Sequence, residues 1–397
     1  MHSALPEHNI DAPETTRWLS IAAAIASITA VGTAIGLGIP LLSIILENRG
    51  HSASMIGANT AVAGLASIAA APIAIPVASR IGVVPTMLAA ICAGAFAFVG
   101  FYFATSFWMW FPLRVVLNGA MTLLFILSEF WITAAAPPRR RGFVLGVYGT
   151  VLSLGFAFGP WLFGKVGSDG FLPFGIAFVI IMLAAIPVIA AWRESPRIGS
   201  GTHGSAGLLS YVWLVPTATL AVFVFGAVET GGFALFPVYG SRLGYSEADA
   251  ALLLTMIGLG NVLLQIPLGM VSDRVPDRRV MLALCAFAGL VGTLALPWVA
   301  GDWIVTAAIL FIWGGVVAGL YTIGLAHLGS RLSGRDLASA NAAFVFCYGF
   351  GMLAGPQAIG VGMDVAGVHG FAYTLAIFFA GYLMLVIARI AGGASRS

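Results

Sequence analysis

Residues Gly155 to Gly164 read GFAFGPWLFG and residues Gly351 to Gly360 read GMLAGPQAIG, so the pattern G-x-x-x-G-P-x-x-x-G occurs twice at an offset of 196. A second pair of segments repeats the spacing. VASRIGVVPTML, from Val77, aligns with VSDRVPDRRVML, from Val271, and sets Arg80 opposite Arg274 at an offset of 194. Both offsets are close to half of the 397 residues, so the chain reads as an internal duplication. Small residues four apart share a helix face and let helices approach closely. Pro160 and Pro356 each remove a backbone donor and invite a bend. Gly155, Gly159, Pro160, Gly164, Gly351, Gly355, Pro356 and Gly360 are therefore expected to form packing or hinge surfaces where the halves meet.

Around these motifs the chain is apolar. Hydrophobic residues make up 60% and charged residues 8%, with a mean hydropathy of +1.01, where soluble domains carry roughly 25% charge. Such a chain is all-α and embedded in lipid. Spans of about 20 apolar residues suffice to cross the hydrocarbon core. Apolar runs fall at 19–46, 55–79, 84–105, 108–134, 143–166 and 171–192, then at 211–239, 248–271, 280–299, 303–328, 337–363 and 371–391. This gives a cytoplasmic tail (1–18), a first six-helix bundle (19–192), a linker (193–210), a second bundle (211–391) and a short tail (392–397). No room remains for a separate soluble catalytic or nucleic-acid-binding domain.

The basic residues orient the expected topology. Of 18, fourteen lie on the side of the amino terminus, including Arg17, Arg80, Arg139 to Arg141, Arg197, Arg274, Arg278, Arg279 and Arg396. Arg49, Lys165 and Arg242 lie on the other side, and Arg114 stands within a span. The positive-inside rule then places both termini in the cytoplasm of a bacterial cell, with the chain in the inner membrane. The amino terminus lacks the pattern of a cleaved signal peptide. Cys92, Cys285 and Cys347 lie in apolar runs and read as buried thiols without a zinc or disulfide framework. There is no H-E-x-x-H, Walker A loop or nucleophile–base pattern, so neither an enzyme nor direct ATP driving is expected.

Two charges stand deep in spans. Arg114 is about seven residues from the expected outer end of the fourth helix and Glu229 about ten from that of the seventh, depths of roughly 10 and 15 Å. An arginine there must face protein or water and find a partner. The expectation is an Arg114–Glu229 pair in the outward-closed state, weakened when Glu229 takes a proton; a static pair, or an acid facing a watery vestibule, is the alternative. Asn118, Asn261, Gln265, Tyr239, Tyr321, His327 and Gln357 are candidates for the cavity wall, although interhelical hydrogen bonding explains them as well. His327 reads as a surface residue. Trp108, Trp110, Trp298 and Trp303 read as anchors at the outer interface.

GMVSDRVPDRR, from Gly269 to Arg279, resembles the G-x-x-x-D-R-x-G-R-R signature loop of the major facilitator superfamily, with Pro276 where glycine is usual. The first-half copy keeps Arg80 and Gly82 but has Ser79 for the aspartate and Val83 and Val84 for the basic pair. RVVLNG at Arg114 to Gly119 resembles the superfamily's fourth-helix R-x-x-Q-G element. SEFWI at Ser128 to Ile132, followed by RRRGFVLGVYG, is similar to the bacterial YcaD-like branch. The resemblance implies twelve helices in two six-helix bundles around a central cavity, working by alternating access. It also implies a monomer, a small-molecule substrate and a proton gradient as driving force, with no cofactor.

By the same resemblance, Glu129 is expected to pair with Arg80, local pairing with Arg139 to Arg141 being the alternative. Asp273, beside Arg274, is expected to sit at the positive amino-terminal end of the fifth helix near Gly142 and latch the halves on the cytoplasmic side. A solvated loop charge is the plainer reading. The G-x-x-x-G-P run leans toward export. The function expected is therefore proton-coupled efflux of a small organic solute. Proton-coupled uptake of a sugar or organic acid is the runner-up, and a non-transporting receptor comes third.

Overall fold

A computed structural model of the protein describes residues 18–137, 140–196, 212–331 and 334–394. Most of the expected linker and tails, with Arg17, Arg139, Arg197 and Arg396, lie outside the described residues. Twelve helical stretches are long and apolar enough to cross a membrane. They are α1 (Trp18–Asn48), α2 (Ala53–Ile81), α3 (Val83–Phe103), α4 (Trp110–Ala135), α5 (Arg141–Val166) and α6 (Leu172–Leu183, continued by Ala185–Ala190). The second set is α7 (Pro216–Arg242), α8 (Glu247–Arg274), α9 (Arg278–Val299), α10 (Trp303–Arg331), α11 (Gly334–Ala366) and α12 (Gly370–Ala394). The break in α6 at Ala184 has a local cause. Pro187 has no N–H to offer the Leu183 carbonyl four residues back.

Local chemistry starts and stops these helices. Ser52 accepts from the Met55 amide at the start of α2, and Ser246 accepts from the Asp249 amide at the start of α8. α1 and α7 are each followed by a glycine with positive φ, Gly50 at 82° and Gly244 at 88°, a turn that favours glycine. These two positions are also 194 apart, so the duplication extends to the turns. α1 and α7 are the most buried spans, 83% of each apolar window lying inside the protein. α1 packs on α5 and α7 on α11, while α2 with α11 and α5 with α8 form the seam between halves.

The repeated glycine pattern is used in the same way in each half. Gly155 and Gly159 of α5 lie against Gly32 and Gly36 of α1, and a methyl on Gly155 would come to 3.0 Å from Gly32 Cα. Gly351 and Gly355 of α11 lie against backbone atoms of Phe223 and Ala227 in α7. These four glycines pack helices within a half, not between halves as expected. The third glycine of each motif crosses the seam: Gly164 meets Ala248 and Ala251 of α8, and Gly360 meets Ala53 and Ser54 of α2. One motif face therefore holds a bundle together, and the next turn sets how closely the bundles approach. α5 and α11 continue through Pro160 and Pro356 without interruption.

Several surface expectations change. Trp110 is fully buried, its indole donating to the Ala104 carbonyl at 3.1 Å beneath the Arg49 guanidinium. The indole has a donor to satisfy, and the 3-10 turn at Phe107–Met109 supplies the fold-back. Trp108 and Trp298 are exposed, as interfacial anchors would be. Cys92 is exposed, whereas Cys285 and Cys347 are buried. His327 is buried, not at the surface.

Candidate functional site

Glu229 stands midway along α7, one helical turn beyond Phe225 on the same face. Gly226 lies against the Tyr348 carbonyl, and this close approach of α7 to α11 brings the Tyr348 hydroxyl to 2.7 Å from Glu229 Oε2, to which it donates. Rings gather around the carboxylate. Phe225 is 5.5 Å from Tyr321 and 6.1 Å from Tyr348, centroid to centroid, and Tyr321 is 5.4 Å from Phe344. Glu229, Tyr321 and Tyr348 are half-buried. Among the described residues, no basic side chain forms an ion pair with Glu229.

The other half contributes a second acid. Glu129 of α4 is exposed, and its charge acts on Tyr148 of α5 and on Tyr321 of α10. The charge of Glu229 also acts on Tyr321, so acids of opposite halves lie within electrostatic reach of one ring. Tyr148 is held by a 2.8 Å hydrogen bond with Ser128. The expected Glu129–Arg80 pair is not formed among the described residues. Glu129 and Arg80 are both exposed, Arg80 at the end of α2.

Arg114 and Glu229 are not paired either. Arg114 extends toward α2, where its Nε donates to Asn59 Oδ1 at 2.9 Å, and its guanidinium lies 6.0 Å from the Phe101 ring. It is 1% exposed, and its Nη2 and the Asn59 Nδ2 have no acceptor. Depth in the membrane gave both residues a similar height; it did not say that Arg114 faces into its own bundle. Asn118, one turn on, donates to the Arg114 carbonyl and so stays in its own helix.

The remaining candidates are dispersed. Gln265 donates to Thr322 at 2.8 Å, an α8–α10 bond within one half. Tyr239 is buried and shares a hydrogen bond with His369. Asn261 has a buried Oδ1 without a donor. Gln357 lies in a groove of about 870 Å³ between α2 and α11, whose wall is otherwise largely aliphatic (Leu65, Leu353, Val361, Ile377). Gln357 thus lines the flank of the seam and not the Glu229 site.

At the expected outer face the halves are tied together. Arg242 of α7 grips Glu47 of α1 through two hydrogen bonds of 2.8 and 3.1 Å. Asp364 of α11 accepts from the Ala53 and Ser54 amides, capping α2 from the other half. Glu247 of α8 accepts from the Ser168 amide and hydroxyl, at 3.0 and 2.7 Å, and from Asn48. Sequence reading assigned these residues to loops. Their signal was present: each is an acid or arginine within a few residues of a helix end that faces the opposite half.

The expected inner face differs. Asp273 is exposed and pairs locally with Arg278 at 3.0 Å; the surroundings of Gly142, where the latch is expected, lie outside the described side chains. Arg274 is exposed. Ser79 bonds to the Pro76 carbonyl of its own helix. Asp277 caps α9, and its hydrogen bonds from the Arg279 side chain hold its carboxyl below the usual range. The contribution of this cap is present at neutral pH and fades as pH falls through the carboxylate range.

Comparison with known proteins agrees with the fold. The family model described as Major Facilitator Superfamily matches residues 21–356 and 218–395. The uncharacterised MFS-type transporter YfkF of Bacillus subtilis (strain 168) is 28% identical over 340 residues, covering 82% of this chain and 84% of the relative. The uncharacterised MFS-type transporter YcaD of Escherichia coli O9:H4 (strain HS) is 24% identical over 276 residues, 68% of each chain. Among solved structures, the nucleoside transporter NupG superposes with a TM-score of 0.76 at 13% identity, over 95% of this chain and 98% of its own. A bacterial homologue of the human lysosomal transporter Spinster, inward-facing and unoccupied, gives 0.71 at 15% identity over 95% and 96%. At these identities the structures are alike in fold alone.

Proposed function

The chain belongs to the major facilitator superfamily and is a multi-pass secondary transporter; from that premise we propose that it exports a small organic solute in exchange for protons, with Glu229 as the proton carrier. The observation that supports this reading is a carboxylate at the middle of α7, among aromatic rings, hydrogen-bonded to Tyr348 and without a basic partner among the described residues. An ionised carboxylate in such surroundings is unfavourable unless it meets a proton or another cation. Proton and solute then bind alternately. Tyr348 orients the acid, and Tyr321, within electrostatic reach of Glu229 and Glu129, relays the state of one half to the other.

We place the chain in the bacterial inner membrane with both termini cytoplasmic, as a monomer of two six-helix bundles needing no cofactor beyond the proton gradient. We read the present arrangement, tied at the outer face through Glu47, Arg242, Glu247 and Asp364, as an inward-facing state. In the opposite state Arg80, Arg274 and Asp273 would carry the inner contacts.

A second reading has its own observation. Arg114 Nη2 and Asn59 Nδ2 are buried donors without acceptors, which suits an anion and hence proton-coupled uptake of an organic acid. A thermal-shift screen of solutes at two pH values identifies the ligand. The direction of solute-stimulated proton flux in proteoliposomes then separates the readings. Export predicts protons moving opposite to the solute, and movement in the same direction overturns it.

A further inference from the structure

We infer that the exported solute is an organic cation with a shielded, fully substituted charge, held by the rings of Phe225, Tyr321 and Tyr348 against the carboxylate of Glu229. This rests on the transport reading above and adds to it the chemistry of the cargo. Three observations lead there independently of the family.

The first is charge balance. Glu229 and Glu129 act from opposite halves on the same tyrosine, and neither has an ion-pair partner among the described residues. The one buried basic group nearby in the first half, Arg114, is turned to Asn59 and closed off from solvent. Among the described residues the two acids therefore lack a countercharge, and an anionic solute approaching them would meet like charge in a medium that screens it poorly.

The second is the wall. Phe225 and Tyr348 are stacked, their planes 26° apart, and Tyr321 stands edge-on to Tyr348 at 78° and 6.2 Å. Aromatic faces carry negative quadrupole potential and attract cations within about 6 Å of the ring centre. The three rings form a cluster beside the carboxylate on the side of α7 that faces α10 and α11, tied to it through Tyr348.

The third is the shortage of acceptors. Tyr348 already donates to Glu229 Oε2, the ring of Phe225 accepts no hydrogen bond, and the acceptors left beside the rings are Glu229 Oε1 and the two phenol oxygens. A primary ammonium brings three donors, each of which must find one of these few acceptors in the right direction. A fully substituted onium ion brings none, so it loses little on leaving water. Glu229, Tyr321 and Tyr348 each keep part of their surface accessible, so the cluster is open to a ligand.

The test uses the full chain in detergent and two near-isosteric ions of opposite charge, tetraphenylphosphonium and tetraphenylborate, titrated separately by calorimetry. Saturable binding of the phosphonium at least tenfold tighter than the borate is expected. Glu229→Gln should weaken phosphonium binding at least tenfold, and Tyr321→Leu or Phe225→Leu by about 5- to 30-fold. Ile377→Ala, in the flank groove, should leave it unchanged. Equal affinity for both ions, or no saturable phosphonium binding, overturns the inference. So does unchanged binding in ring variants that elute as wild type, whether or not Glu229→Gln folds. Binding needs no proton gradient. A wild-type chain that binds charge-selectively but shows no proton-coupled transport therefore counts against the proton reading alone.

Discussion

Arg114 and Glu229 show what single residues contribute. Burying a guanidinium is unfavourable, and one hydrogen bond to Asn59 with an orphaned Nη2 does not compensate it. A residue that costs stability in the resting structure is retained for another state or a ligand. Arg114→Met is therefore expected to melt at or above the wild-type temperature while losing transport; a melt lowered by many degrees with transport intact would contradict this. Tyr348→Phe removes the hydrogen bond to Glu229 but keeps the ring, so ligand binding should persist while the pH dependence of transport shifts. An unchanged pH profile would show that Tyr348 does not tune the acid. The sequence already marked Arg114, Glu229 and Tyr321, because a charge or hydroxyl within a long apolar run stands out. It could not reveal Asn59, Tyr348 or the direction each side chain takes, since spacing along one helix fixes height and leaves the neighbouring helix unspecified.

At the level of elements, the glycines of α5 and α11 separate folding from movement. A methyl at Gly159 or Gly355 would press into backbone of α1 or α7, which cannot yield as a side chain would. Gly159→Ala and Gly355→Ala are expected to destabilise the chain by about 1–3 kcal/mol, the range for overpacking. Gly381→Ala, where nothing lies within 4 Å, should be close to neutral in a thermal melt. Gly164 and Gly360 sit on the seam between halves. Gly164, which first meets the Ala251 methyl, should accept alanine with a melt near wild type, whereas a methyl at Gly360 would press into the Ala53 carbonyl and, since the halves can part, should make a cysteine introduced at the outer face more reactive to a thiol reagent. A Gly164→Ala variant as destabilised as Gly159→Ala, or unchanged cysteine reactivity in Gly360→Ala, would remove the distinction. The duplicated pattern was legible because the same residues recur at one offset. Which glycine crosses the seam was not, because all three lie on related faces of one helix and only the packed partner distinguishes them.

For the whole molecule, twelve spans in two halves followed from hydropathy and the repeat, since lipid admits few other backbones. The state of the molecule did not follow from sequence. The signature loop suggested an inner latch at Asp273, yet the ties lie at the opposite face through Glu47, Arg242, Glu247 and Asp364. Alternative closures of one chain differ by few contacts, so a motif can name a latch without saying when it is shut. Asp364→Asn keeps the side-chain shape but weakens the cap on α2, and should shift spin-label distances across the outer face toward longer values. Unchanged distances would mean that packing at Gly360 alone holds the seam. The central claim, that Glu229 carries the coupling proton, is tested most directly by comparing two modes of transport of one labelled cation in proteoliposomes bearing Glu229→Gln. Exchange of cation for cation without a gradient should persist, and pH-gradient-driven accumulation should be lost; accumulation at the wild-type level would contradict the account.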